Sequence, residues 1–281
     1  MNETEKPRAT RLDQYVVAQF PNSSRAFATK LIEQGHVKVN KLDQFKPGYK
    51  LRPNDRIIID YSAENQDVIP GITLEVLYED DDCVVIEKPI GLLTHSKGAF
   101  NPEPTVASWL SSRMQGMSGD RAGIVHRLDR ATSGVMICAK TPDALSWLQK
   151  QFSLRKVKKS YIAIVEGIFD IPEAIIDMPI ERHPKKPQTF RVGSNGKQAV
   201  TTYKVLKANL ERSLIELRPT TGRTHQLRVH LAHIKHPIVG DSFYQGKAAD
   251  RLYLHAKTLE ITLPNRQRKI FISKLPKEFK L

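Results

Sequence analysis

The sequence predicts an α+β protein in two parts, a small N-terminal unit and a larger strand-rich body, on three observations. In the first sixty residues apolar positions recur twice at helical spacing and then alternate. From residue 72 onward, short apolar runs bounded by turn residues outnumber the helical stretches. A polar stretch from Ser62 to Gly71, closing in Ile69-Pro70-Gly71, separates the two parts. At 281 residues and 40% hydrophobic, the chain is long enough to bury a sizeable core with an appendage beside it.

Taken in order, Arg11-Leu12-Asp13-Gln14-Tyr15-Val16-Val17 opens a helix with apolar positions at 12, 15, 16 and 20. Pro21-Asn22-Ser23-Ser24 interrupts it, and Ser23 or Ser24 suits the cap of a second helix from Arg25 to Gln34. That helix places Phe27, Leu31 and Ile32 on one face and the basic Arg25 and Lys30 elsewhere, and Gly35 ends it. Val37-Lys38-Val39-Asn40 alternates like a strand, and Leu51 to Ile59 supplies a turn and another.

In the body, Leu74–Tyr78 and Cys83–Lys88 read as strands around an acidic turn, Glu79-Asp80-Asp81-Asp82, which lacks the spacing of a calcium loop. In Lys88-Pro89-Ile90-Gly91-Leu92-Leu93-Thr94-His95, Pro89 fixes the strand's exit and Gly91 permits a turn. Residues 104–114 look helical and Gly116 to Ala122 mobile; Pro142 to Phe152 forms an amphipathic helix with Leu145, Leu148 and Phe152 inward. A Gly193-Ser194-Asn195-Gly196 turn suits a hairpin before the strand Ala199–Val205. Leu214–Pro219 is a further strand, and Thr224 suits the N-cap of a helix carrying Gln226 to His233. The closing strands lie near Arg251–Ala256 and Lys269–Lys274.

The chemistry concentrates between Gly123 and Thr141. His126-Arg127-Leu128-Asp129-Arg130 sets an acid between two arginines, followed by a Thr132-Ser133-Gly134 turn and the apolar run Val135–Ala139. Asp129 thus lies on a loop just before a core strand, where a rigid scaffold can hold a reactive group. Opposite charge nearby favours its ionised form, which suits a nucleophile or a base rather than an acid. Read alone, the same residues also describe a surface salt bridge.

Charge narrows the partner. The net charge is +14, distributed as +4 over residues 1–62, −6 over 63–100 and +16 over 101–281. A basic body with a short acidic insert implies a localised face for a polyanion. Cys83 and Cys138 sit in apolar company and read as core thiols of a reducing compartment; no apolar stretch approaches a membrane span. A cytoplasmic enzyme is expected. His225, His230, His233 and His236 invite a metal reading, but His225 and His230 are five apart and no carboxylate or cysteine completes a ligand set, so no metal is expected.

The motif from His126 to Gly134 resembles the signature of the RluA-type pseudouridine synthases, and three further segments match in the family's order. These are Lys88-Pro89-Ile90-Gly91-Leu92, Lys159-Ser160-Tyr161, and Arg218-Pro219 through Gly222-Arg223-Thr224-His225-Gln226-Leu227-Arg228 to Pro237-Ile238-Val239-Gly240-Asp241 and Tyr244. Arg11-Leu12-Asp13, Ser24-Arg25, Leu31-Ile32, Gly35 and Val37–Asn40 resemble the alpha-L RNA-binding domain shared with a small-subunit ribosomal protein, although Lys41 stands where that pattern has Gly. The division implied is an RNA-binding domain over 1–62, a linker over 63–71 and a synthase domain over 72–281.

The resemblance implies a mixed, mainly antiparallel sheet with a basic central cleft, and isomerisation of uridine to pseudouridine without cofactor or metal. The implied catalytic residues are Asp129, Tyr161, whose ring stacks on the target base and can act as a base, and Arg228, which pairs with Asp129. Implied substrate contacts are Arg127, which fills the gap left by the flipped base, with His126, Arg130, Lys159, Arg223 and Gln226, and Arg25 and Lys30 in the N-terminal domain. The expected substrate is structured RNA, large-subunit (23S-type) rRNA first and tRNA as the alternative, acted on by a monomer. A non-catalytic RNA-binding protein would lack one of Asp129, Tyr161 or Arg228, and a metal nuclease would need the ligand cluster that is missing.

Overall fold

A computed structural model of the chain describes residues 10–20, 25–61, 71–96, 103–117 and 121–281. The Ser23 or Ser24 cap and nearly all of the polar stretch 62–71 lie outside the described residues, as do 118–120 within the stretch expected to be mobile. By Cα packing the chain divides into two compact units, with Ile72–His95 and Thr105–Leu281 forming the larger. Among the described residues, no helix is long and apolar enough to cross a membrane.

The smaller unit packs α1 (Leu12–Gln19) and α2 (Arg25–Glu33) on a three-stranded sheet of β1 (Val37–Val39), β2 (Leu42–Asp43) and β3 (Ile57–Ile59). Leu12, Val16, Phe27, Leu31 and Ile32 supply its core, as their spacing requires. Gly35, at φ 81°, ends α2: its N–H reaches Ile32 O, and His36 N–H reaches Leu31 O, closing a Schellman motif. The β1–β2 turn puts Asn40 (φ 54°) and Lys41 (φ 70°) in the left-handed region, so lysine adopts the backbone that glycine takes more easily.

The larger unit is built on a nine-stranded sheet. Its strands are β4 (Glu75–Glu79), β5 (Cys83–Lys88), β6 (Ser133–Ala139), β7 (Lys158–Glu166), β8 (Glu173–Asp177), β11 (Val200–Ala208), β12 (Arg212–Pro219), β13 (Leu254–Thr262) and β14 (Arg268–Ile272). The order is β4-β5-β6-β13-β7-β12-β11-β8, with β14 also on β13, and every pairing is antiparallel except β6 with β13. The sheet is therefore mixed and mainly antiparallel. That parallel contact is short, His255 opposite Ser133 and Ala256 opposite Gly134, before β14 replaces β6 along β13. Gly134 (φ 119°) is there because any Cβ would collide with the Ala256 carbonyl.

Helices α3 (Val106–Leu110), α4 (Pro142–Ser153) and α5 (Gln226–His233) pack against this sheet, and a small two-stranded sheet joins β9 (Ile180–Arg182) to β10 (Phe190–Val192). Residues 104–114 are less helical than expected: α3 is one turn with a Thr105 capping box, followed by a 3₁₀ turn over Ser111–Arg113. The Gly193–Gly196 turn forms, but it is not a hairpin, since it passes the chain from β10 into β11 in the other sheet. Its glycines serve close approach, because a Cβ on Gly196 would stand 2.5 Å from Ile180 C. The hairpin is β9–β10, with Lys185-Lys186-Pro187 at its tip.

Candidate active site

The loop carrying Asp129 enters β6 at the centre of the sheet and is held from below. Thr132 N–H closes a turn on Asp129 O at 3.0 Å. The Thr94 hydroxyl donates to Leu128 O at 2.8 Å and accepts from Leu128 N at 3.3 Å. Gly91 N–H donates to Arg130 O at 2.8 Å, from a φ of 80° that favours glycine. The fully buried Lys88 ammonium donates to Pro89 O, Leu92 O and Arg130 O at 2.8, 2.9 and 3.4 Å. Burial pulls its pKa down to about 8 despite the charge of Asp129.

Above this floor opens a cleft of about 500 Å³ lined by the 125–129 loop, Lys159, Tyr161, the 219–225 loop and the start of α5. Asp129, 20% exposed, directs Oδ2 at Arg228 Nη1 (3.4 Å) and at His225 Nε2 (3.8 Å). Among the described residues no protein donor reaches its Oδ1. Arg228 is buried and held by Asp241 in a two-pronged pair, Nε to Oδ2 and Nη2 to Oδ1, both 2.7 Å. Burial works against that guanidinium's charge, but the hydrogen bonds and charge of Asp241 outweigh it and raise its pKa. The pairing of Arg228 with Asp129 is therefore its looser contact.

Tyr161 lines the cleft from β7, paired with Ala256 on one side and Leu217 on the other. Burial first, and the charge of Asp129 second, push its hydroxyl pKa well up, so the phenol stays protonated. Lys159 reaches to 6.0 Å over the Phe152 ring and is lowered by burial. His126 stacks on Phe152 (4.6 Å, 21°), and its Nε2 accepts Ile137 N–H at 3.2 Å. Burial, aided by Lys159, pulls it down to about 3, so it is neutral. Arg127 and Arg130 are exposed on the loop, and Arg127 has no ion-pair partner among the described residues.

Two expectations for the last motif change. The N-cap of α5 is His225, not Thr224, in a left-handed conformation with no side-chain cap bond. Gln226 is spent inside the protein: its oxygen accepts from Thr221 Oγ1 and Arg223 N, and its amide donates to Val200 O and Thr201 Oγ1. It shapes the loop and has no polar atom left for substrate. Arg223 uses Nε on Gln198 O and keeps its other nitrogens. Arg25 and Lys30 lie on α2 of the smaller unit, where Arg25 spends one nitrogen on the buried Asp13 at 2.9 Å. The four histidines do not converge: His230 bonds Thr201 and Met178, and His236 bonds Glu166 O. Among the described residues, no His, Cys, Asp or Glu group can hold a metal ion.

The pattern of the RNA pseudouridylate synthase family matches residues 82–233, which span β5, the Asp129 loop, Tyr161 and all of α5. The chain belongs to this family. It is an RNA pseudouridine synthase of the RluA type, and the S4 domain pattern matches residues 10–57 of its RNA-binding smaller unit. A protein from Aquifex aeolicus described as an uncharacterized RNA pseudouridine synthase is 40% identical over 85% of this chain and 78% of its own length. Ribosomal large subunit pseudouridine synthase D of Xylella fastidiosa is 37% identical over 91% and 82%. Among solved structures, human RNA pseudouridylate synthase domain containing 4 superposes with a TM-score of 0.59 at 30% identity, covering 73% of this synthase and 90% of that chain.

Asp241, Tyr244 and His225 are what sequence reasoning undervalued. Asp241 and Tyr244 enter only as a continuation of the motif, and His225 only as a motif position and a rejected metal ligand, with no role of its own. The spacing of Asp241 from Arg228 carries no local signal.

Proposed function

We propose that this synthase isomerises a uridine in large-subunit (23S-type) rRNA, with Asp129 as the carboxylate that acts on the ribose. The rRNA reading draws on the large-subunit synthases to which the chain is similar over most of its length. The catalytic reading rests on one observation: at the cleft wall Arg228 and His225 both face Asp129 Oδ2, and no protein donor among the described residues reaches Oδ1. A carboxylate held by one oxygen and free at the other is oriented without being neutralised.

The sequence of events follows from these positions. The target uridine leaves its stack, and Arg127, exposed on the loop that lines the cleft, fills the gap. Tyr161 offers a ring face to the uracil, and its protonated hydroxyl makes it a donor rather than the base. Asp129 assists glycosidic cleavage, by attack on the ribose or by directing proton removal from it. Uracil then turns, carbon 5 joins the ribose, and a water in the cleft takes the proton from that carbon as the freed N1 gains one, so that protons balance. The base is retained and no electrons are exchanged, so no cofactor is required. Lys159 and Arg223 line the cleft as its phosphate contacts in this reading, and such contacts position RNA without reading its sequence.

The test is Asp129→Asn, which keeps shape and removes charge. RNA binding should stay nearly intact while isomerisation of a large-subunit rRNA transcript is abolished; turnover within about tenfold of the parent overturns the assignment.

A further inference from the structure

The imidazole of His225 is built into the site more rigidly than a lining residue needs. Its backbone takes φ 56° and ψ 18° at the start of α5, with no capping bond to justify that conformation. The region is uncommon for non-glycine residues, although histidine enters it more readily than most, so the case rests on what surrounds the ring. The ring is boxed by Phe190 (5.6 Å, edge-on), Phe243 (6.2 Å, stacked) and Tyr244 (5.7 Å, edge-on). Its Nδ1 lies 2.8 Å from the Tyr244 hydroxyl, which also accepts Phe190 N–H at 3.0 Å. Its Nε2 faces Asp129 Oδ2 at 3.8 Å.

These contacts select one tautomer. With Phe190 N–H on the phenol oxygen, the phenol proton is free to donate to Nδ1, which leaves the ring proton on Nε2, facing a carboxylate. The reverse tautomer would point a lone pair at Asp129. The charged groups facing the ring are Asp129, Arg228, Asp241 and Arg127. Burial, the first of the influences on it, lowers His225, and burial raises Tyr244 to about 12, so neutral imidazole and protonated phenol persist at physiological pH.

We infer that His225 is a positioning residue for the isomerisation: oriented by Tyr244, it presents Nε2–H to Asp129 Oδ2 and, with Arg228, fixes which carboxylate oxygen meets the ribose. This rests on the assignment of Asp129 above. The 3.8 Å separation is loose, as such contacts are before substrate closes the site.

Three substitutions separate positioning from packing. Asparagine suits the left-handed backbone better than glutamine, but its amide reaches only as far as Nδ1, whereas the glutamine amide reaches the place of Nε2. A merely structural role therefore favours His225→Asn over His225→Gln, and positioning of Asp129 favours the reverse. The assay is single-turnover release of tritium from carbon 5 of uridine in a large-subunit rRNA transcript, with RNA affinity measured separately. At saturating protein, His225→Ala and His225→Asn should be about 30-fold slow and His225→Gln within about fivefold of the parent. Affinity should stay within about twofold throughout, since the loss is in the reacting geometry. An asparagine variant as fast as the glutamine variant overturns the inference.

Should the alanine variant not fold, Tyr244→Phe decides, because it keeps the aromatic box and removes only the orienting hydroxyl; parent-like turnover overturns the inference. Asp129→Asn run alongside keeps the two claims apart. An active Asp129→Asn removes the catalytic reading itself. An inactive one beside a parent-like His225→Asn removes only this inference.

Discussion

Asp241→Asn perturbs the site without touching the cleft. Arg228 is 5% exposed and depends on two 2.7 Å bonds to Asp241. Asparagine supplies one acceptor, and its amide meets the second guanidinium N–H donor to donor. Removing one partner of a buried ion pair costs about 3–5 kcal/mol, because the other charge remains uncompensated. Asp129 can repay part of this, since a hydrogen bond to a charged group contributes about 1.5–3 kcal/mol. It does so only by being drawn from its 3.4 Å contact into a tight pair with Arg228. The expected net loss is about 1.5–2 kcal/mol in urea unfolding, followed by Trp109 and Trp147, which both lie in the larger unit. The single-turnover rate should fall by about 100-fold as the carboxylate is displaced. Combining Arg228→Met with Asp241→Leu should restore most of the stability and none of the rate, because a well-packed apolar pair replaces a buried ionic one at little cost. A single variant within about 1 kcal/mol of the parent, or a double variant no more stable than the single, would refute the reasoning.

Gly134→Ala drives a methyl into the Ala256 carbonyl at φ 119° and should cost more than about 3 kcal/mol in the same unfolding assay; a loss under about 1 kcal/mol counts against the parallel register. Lys41→Gly should stabilise the β1–β2 turn by about 0.5–1 kcal/mol, read as slower hydrogen exchange at Val39 and Asn40, with faster exchange the contrary result. The folded-state pKa of Lys88 is about 8 against an ordinary 10.5, so between those values the unfolded chain holds the extra proton and stability rises with pH. The parent should therefore gain stability relative to Lys88→Met from pH 8 towards 10, and a flat difference would argue against a buried ammonium. Deleting residues 1–62, which carry +4, should lower RNA affinity and flatten its salt dependence while the maximal rate stays within a few-fold; a collapsed rate in a folded truncation would place the domain boundary elsewhere.

What could be read from the sequence was local. Pro142 and the apolar spacing set α4, Gly35 set the end of α2, and Cys83–Lys88 is a strand over the residues expected. The start of α5 lies at His225 rather than Thr224: the Gln226 side chain turns back to accept Arg223 N–H three residues earlier, a contact that N-cap propensity does not signal. The short β8, β9 and β10 carry little signal because β9 and β10 are three residues each, too short for a period to register, and β8 exposes three of its five. The Gly193–Gly196 turn looked like a hairpin because glycine marks both positive φ and close backbone approach, and only the second operates there.

The same limit explains the electrostatics around Asp129. The resemblance supplied Arg228 as its partner, and the two do meet, but the tighter bonds go to Asp241. A guanidinium with no second carboxylate would close on Asp129 with two parallel bonds, spend both of its oxygens and leave it stable and inert. Asp241 prevents this by saturating Nε and Nη2, so that one Nη1 contact is all Asp129 receives from Arg228. Arg228 still lends its charge at 3.4 Å, enough to fix a rotamer, while the second oxygen stays available for chemistry. The buried pair is thus better explained by how it divides one arginine between two acids than by any stability it adds. Lys88 applies the same economy from below: its three carbonyl contacts fix the loop backbone, and its charge acts on the carboxylate without a bond to it.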